Sequence, residues 1–66
     1  MVLVINGESQ KVPDGLSVGA LLDHLAVERA RVAVEVDHQV VPKAEYGGRR
    51  LSEGSRVEIV EFIGGG

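Results

Sequence analysis

One stretch of this 66-residue chain has the period of an amphipathic helix. Val18, Leu21, Leu22 and Leu25 stand at i, i+3, i+4 and i+7, so they share one helical face. Ser17 occupies the N-cap position before them. Gly19 weakens the first turn by up to about 1 kcal/mol relative to alanine. His24 falls off the apolar face and reads as a solvated helix residue. A lone helix cannot bury its own apolar face. The rest of the chain must therefore supply a sheet for it to cover.

The flanking sequence reads as that sheet. Met1 to Ile5 is an apolar run of strand length, followed by Asn6-Gly7. That dipeptide is a strong hairpin signal, because both central positions of a type I′ turn need positive φ. Glu8 to Val12 returns as a more polar strand near an edge, and Pro13-Asp14-Gly15 is turn chemistry. After the helix, Val27 to Arg31 is a charged connection. Val32-Ala33-Val34-Glu35-Val36 alternates cleanly, Asp37-His38 makes a tight turn, and Gln39-Val40-Val41 runs back until Pro42 stops it. Lys43 to Gly48 is irregular, with room for one short helical turn and with Tyr46 as an anchor against the core. Arg49-Arg50 reads as a solvated basic pair. Ser52 to Ser55 is a further turn, and Arg56 to Phe62 is the last strand.

The expected order is β-β-α-β-β-β, an α+β fold of the β-grasp type. About five strands form a mixed sheet with one helix on one face. The first and last strands are expected side by side and parallel at the sheet centre. Leu3, Ile5, Leu21, Leu22, Leu25, Val34, Val57 and Ile59 are expected in one core. The domain is expected over residues 1–63, with 64–66 as a flexible tail.

Bulk properties narrow the function. A chain this short buries only about 60% of its unfolded surface, so a deep pocket of its own is not expected. It has no cysteine, and neither His24 nor His38 has a second metal ligand at a convincing spacing. The net charge is −3, and one Tyr and one Phe are the only aromatics, which argues against nucleic-acid binding. No apolar run reaches membrane length and no signal-peptide pattern opens the chain, so a soluble cytoplasmic protein is expected.

The chain ends Glu61-Phe62-Ile63-Gly64-Gly65-Gly66. Three glycines have no side chains to pack, but they can carry a carboxylate into a narrow channel of another protein. The strand before them supports that reading. If Leu3, Ile5, Val57 and Ile59 face the helix, strand alternation turns Val2, Val4, Val60 and Phe62 to the uncovered face. An apolar group there, leading through Ile63 into the glycines, is expected to form a partner-binding surface.

Taken together, the chain resembles the ThiS family, ubiquitin-like sulfur carriers of thiamine (thiazole) biosynthesis. The resemblance rests on Asn6-Gly7, Leu21-Leu22, Val32-Ala33-Val34-Glu35, Val40-Val41-Pro42 and, most specifically, Leu51 to Gly66. Ser55 departs from the acidic residue frequent after the turn glycine, and Glu61 stands where a histidine is common. The resemblance implies a co-substrate rather than an enzyme. An E1-like enzyme of the ThiF type would adenylate the Gly66 carboxylate with ATP, giving a transient acyl-adenylate. A cysteine-desulfurase system would supply sulfur, and the resulting thiocarboxylate would serve thiazole synthase of the ThiG type. Gly64 and Gly65 would be the flexible arm.

The bare residues agree with that chemistry. A carboxylate is a poor electrophile until activated. The chain carries no phosphate-binding glycine loop of the G-x-x-x-x-G-K type, so activation would fall to a partner. Lacking cysteine, the chain cannot carry sulfur as a persulfide. The small subunit of molybdopterin synthase (the MoaD type), a ubiquitin-like protein modifier and a passive β-grasp binding module are the alternatives.

Overall fold

The Asn6-Gly7 turn sets the first register. Asn6 has φ 49° and Gly7 φ 83°, the positive pair that a type I′ turn requires. It joins β1 (Val2–Ile5) to β2 (Glu8–Lys11), with Ile5 opposite Glu8. The computed structural model describes residues 1–62; Ile63 and the glycine arm 64–66, where the tail was expected, lie outside the described residues. Among the described residues, no helix is long and apolar enough to cross a membrane.

Helix α1 spans Val18–His24, and the Ser17 hydroxyl accepts from the Ala20 N–H as the N-cap. Its end is closed by a Schellman-type bond from the Val27 N–H to the Leu22 carbonyl, with Ala26 at φ 58°. The expected connection after it holds a 3-10 turn, Arg29–Arg31, and then come β3 (Val32–Val36) and β4 (Gln39–Val41). Asp37 and His38, at φ 49° and 69°, make the tight turn between them. A second 3-10 turn, Lys43–Glu45, precedes β5 (Arg56–Glu61).

The sheet order is β2-β1-β5-β3-β4. The first and last strands are parallel neighbours, as the β-grasp reading requires, and β5 is the middle strand. Helix α1 lies on one face. Between them Leu3, Ile5, Leu21, Leu22, Val34 and Val57 are buried as expected. Leu25 and Ile59 differ from expectation: each is only half-buried at the margin of the core. Leu25 is the helix C-cap residue, and Ile59 lies beyond the last residue pair of β1 with β5, so each has fewer neighbours.

The core also takes Val12, Val18, Val32, Val36, Val41, Tyr46 and Leu51. Tyr46 is the anchor expected of it, its hydroxyl donating to the Val32 carbonyl. The segment around it holds the start of the helix, because the Val18 and Gly19 N–H groups donate to the Arg49 and Tyr46 carbonyls. Arg50 is not simply solvated, since its guanidinium donates to the Gly15 carbonyl at 2.7 Å and ties the turn before α1 to this segment.

Candidate docking face and carrier terminus

The helix covers one face of the sheet, and the other is open. Strand parity decides which side chains share that open face. On β5, buried Val57 marks the helix side, so Arg56, Glu58 and Val60 point the opposite way. On β1, buried Leu3 and Ile5 leave Val2 and Val4 outward. On β3, Ala33 and Glu35 are outward, and on β4 Val40 is outward because Val41 is buried.

Val2, Val4 and Val60 therefore fall where parity puts them, and Phe62 is exposed just past the end of β5, but the four do not form one group. Val4 pairs with Arg56, whereas Val60 lies four residues further along β5, opposite Ala33. At about 3.3 Å per residue that offset is roughly 13 Å. Arg56 and Glu58 stand in the gap. Val2 is only marginally exposed and Val4 is half-buried, while Val60 is 58% and Phe62 51% exposed. The open face thus has two apolar ends. Val2 and Val4 belong to one, and Val60 and Phe62 to the other, next to the chain terminus.

Three features at that second end were not read from the sequence. Val40, 71% exposed, is the most exposed large hydrophobic residue among those described, and it lies on the edge strand beside β3. A strand of three residues with two adjacent valines is too short for alternation to show which of them faces out. Lys43 donates to the Ala30 carbonyl at 3.0 Å and holds its ammonium 5.9 Å from the centre of the Phe62 ring. That is within the range of a cation–π contact.

Asn6 is the third. Its side chain pairs with both backbone groups of Ile59: Oδ1 accepts from the Ile59 N–H at 2.7 Å, and Nδ2 donates to the Ile59 carbonyl at 3.2 Å. The amide thus continues the β1 ladder after the backbone has turned away. Beyond Ile59, the Phe62 N–H donates to the Arg31 carbonyl at 2.8 Å. The last strand is held on both sides almost to the point where the glycine arm begins. Gly64, Gly65 and Gly66, with Ile63, remain outside the described residues.

Comparison with known proteins covers the whole of this architecture. The sequence pattern of the ThiS family matches residues 3–66. A protein named thiazole synthase from Paramagnetospirillum magneticum is 46% identical over all 66 residues of the chain, which align with 20% of that protein. The chain spans about a fifth of the length of the thiazole synthases it matches. The sulfur carrier protein ThiS of Escherichia coli is 24% identical over the full length of both chains. The crystal structure of a thiamine biosynthesis protein (ThiS) from Geobacter metallireducens superposes with a TM-score of 0.86 at 33% identity, covering both chains completely.

Proposed function

The chain belongs to the ThiS family, and from that premise we propose that it is a sulfur carrier of thiamine biosynthesis, a co-substrate rather than a catalyst. The observation that carries this reading is the reach of the family match through Gly66, the residue whose carboxylate would be the carrier group. The four residues after Phe62 can span at most about 14 Å, at roughly 3.6 Å each. The partner's reacting groups must lie within that radius.

The chemistry proceeds in three substitutions. The Gly66 carboxylate attacks the α-phosphorus of ATP in the site of an E1-like adenylating enzyme, and pyrophosphate leaves. A cysteine persulfide, formed with a cysteine desulfurase, then attacks the acyl carbon through its outer sulfur, and AMP leaves. A thiol attacks the cysteine sulfur of the resulting acyl disulfide; the thiol and that cysteine are oxidised to a disulfide, and the thiocarboxylate leaves with one sulfur in place of one oxygen. Thiazole synthase takes that sulfur, and the terminus returns to a carboxylate when water supplies the oxygen. The domain contributes a rigid body that the partners can grip and an arm thin enough to enter their sites. A Cβ on Gly65 would thicken that arm and narrow its backbone choices.

The test is a chain lacking Gly65 and Gly66. Its thermal stability is expected to match the full chain's, because the core lies within the described residues. ATP–pyrophosphate exchange with the cognate adenylating enzyme should vanish, and so should the mass gain of an oxygen-to-sulfur exchange. Retention of both would refute the carrier reading.

A further inference from the structure

Asn6 is the chain's only asparagine, and Gly7 follows it. In such a pair the glycine nitrogen can attack the asparagine Cγ, because no side chain on the second residue obstructs closure of the five-membered ring. Gly7 is open, with no atom within 4 Å of where a Cβ would stand. Asn6 is exposed, so water reaches the pair. The dipeptide therefore carries the covalent chemistry of deamidation, and the fold opposes it. Oδ1 accepts from the Ile59 N–H at 2.7 Å and Nδ2 donates to the Ile59 carbonyl at 3.2 Å. The Asn6 backbone N–H donates to the Val57 carbonyl at 2.9 Å. Both ends of the side-chain amide are thus aimed across the sheet at β5, not along the chain toward Gly7. Cγ cannot turn to meet the Gly7 nitrogen until the bonds to Ile59 break.

We infer that Asn6 is a deamidation site that the folded chain masks and that any opening of β1 from the far half of β5 unmasks. In the open chain the Gly7 nitrogen gives its proton to solvent and bonds to Asn6 Cγ, and Nδ2 leaves with a proton as ammonia. The product is a succinimide. Water then adds to one of its two carbonyls. Cleavage at Cγ gives aspartate; cleavage at the main-chain carbonyl gives isoaspartate, whose backbone runs through Cβ and Cγ. One water enters for each ammonia lost, and no oxidant or reductant is needed. Neither product restores the native contacts. Isoaspartate adds a backbone carbon to a two-residue turn whose positive φ pair sets Ile5 opposite Glu8. Aspartate keeps the turn but presents a carboxylate oxygen to the Ile59 carbonyl, where an N–H stood. An episode of opening thus leaves a permanent mark, and the chain's lifetime is tied to the hold of Asn6 on Ile59. The inference does not depend on the carrier reading.

The experiment incubates the full chain in mildly alkaline buffer, folded and in guanidinium chloride, and follows intact mass and peptide maps. Hydrogen exchange of the Ile59 amide is measured on the folded sample. The unfolded chain is expected to gain the mass of an NH-to-O replacement at Asn6. The folded chain should do so at least about tenfold more slowly, because reaction waits on opening. Guanidinium below the unfolding transition should raise the folded-state rate in step with exchange at Ile59, since both events need the Oδ1 bond broken. Asn6→Gln, which would have to close a larger ring, should keep its amide under the same unfolding conditions. The purified isoaspartate chain should melt at least about 8 °C below the native chain, having lost the bonds to Ile59 and the register of the turn. Its Ile59 amide should exchange faster.

Equal rates in the folded and unfolded chains, or an unfolded chain that keeps its amide at Asn6, would each overturn the inference. So would a deamidation rate that stays fixed while exchange at Ile59 rises. An isoaspartate chain that melts with the native one and protects Ile59 equally well would overturn it too, because the mark would then have no structural effect.

Discussion

Replacing Asn6 tests how the last strand is held. The side chain makes two bonds to Ile59, both exposed, and the residue sits at φ 49°. Each bond contributes roughly 0.5–1.5 kcal/mol net, and exposure favours the lower half of that range. Asn6→Gly removes both bonds but accepts the positive φ, and it adds backbone entropy to the unfolded chain. It should cost about 1–2 kcal/mol. Asn6→Ala loses the same bonds and adds a left-handed penalty of roughly 1 kcal/mol, giving about 2–3 in all. For a domain of this size each kcal/mol moves the melting temperature by about 4–8 °C. The alanine variant should therefore melt about 8–24 °C below the native chain, with glycine between them. Urea unfolding read by circular dichroism gives the midpoint and slope together, and the slopes should agree if only stability has changed. A glycine variant as stable as the native chain would show that the bonds to Ile59 contribute nothing. Equal losses for glycine and alanine would refute the backbone part of the argument.

Two further changes address the helix and the amino terminus. A Cβ on Gly19 would come within 2.7 Å of the Arg29 guanidinium, which must then swing away from Asp23, so Gly19→Ala should be nearly neutral in the native chain but stabilise an Arg29→Ala background by about 1 kcal/mol. Equal effects in the two backgrounds, measured in a double-mutant cycle, would contradict this. The Met1 ammonium, by hydrogen bond first and charge second, holds the Asp14 carboxyl below its ordinary range. A depressed carboxylate stabilises above its unfolded pKa and loses that contribution as pH falls through the folded value. Asp14→Asn should thus be the less stable protein at neutral pH, with the gap closing as acid is added through and below the ordinary aspartate range; a gap independent of pH would exclude the ion pair as its source.

Much of the fold was legible because its parts announce themselves locally. Asn6-Gly7 accepts, at both positions, the positive φ that the tight turn requires and that most residues avoid. The valines of 32–36 alternate, and the apolar residues from Val18 recur at helical spacing. The residues that were missed depend on distant partners. Val12 looked like the end of a polar edge strand, yet it is buried. Leu51, with no periodic neighbours, gave no sign of facing the core. Arg50 looked like half of a solvated basic pair until the Gly15 carbonyl was placed beside it. The terminal glycines lie outside the described residues, so their reading rests on the sequence.

The open face shows where a pattern stops and geometry begins. Alternation fixes parity, because a one-residue slip between strands would send every apolar side chain to the wrong side. A slip of two residues preserves parity, so alternation alone is silent about it. Val2, Val4, Val60 and Phe62 could be assigned to one face from the sequence, but their distance along that face could not. In the structure the register between β1 and β5 is held by backbone bonds at one end and a side chain at the other. Gly54 donates to the Val2 carbonyl and Val4 to the Ser55 carbonyl, while Asn6 grips Ile59. These contacts place Val4 beside Arg56 and leave Val60 to Ala33. The same register sets Val60, with Phe62 after it, rather than Val2 and Val4, next to the C-terminal residues 63–66. A partner that must both hold the body and reach Gly66 therefore has the Val40–Val60–Phe62 end of the face as the shorter path.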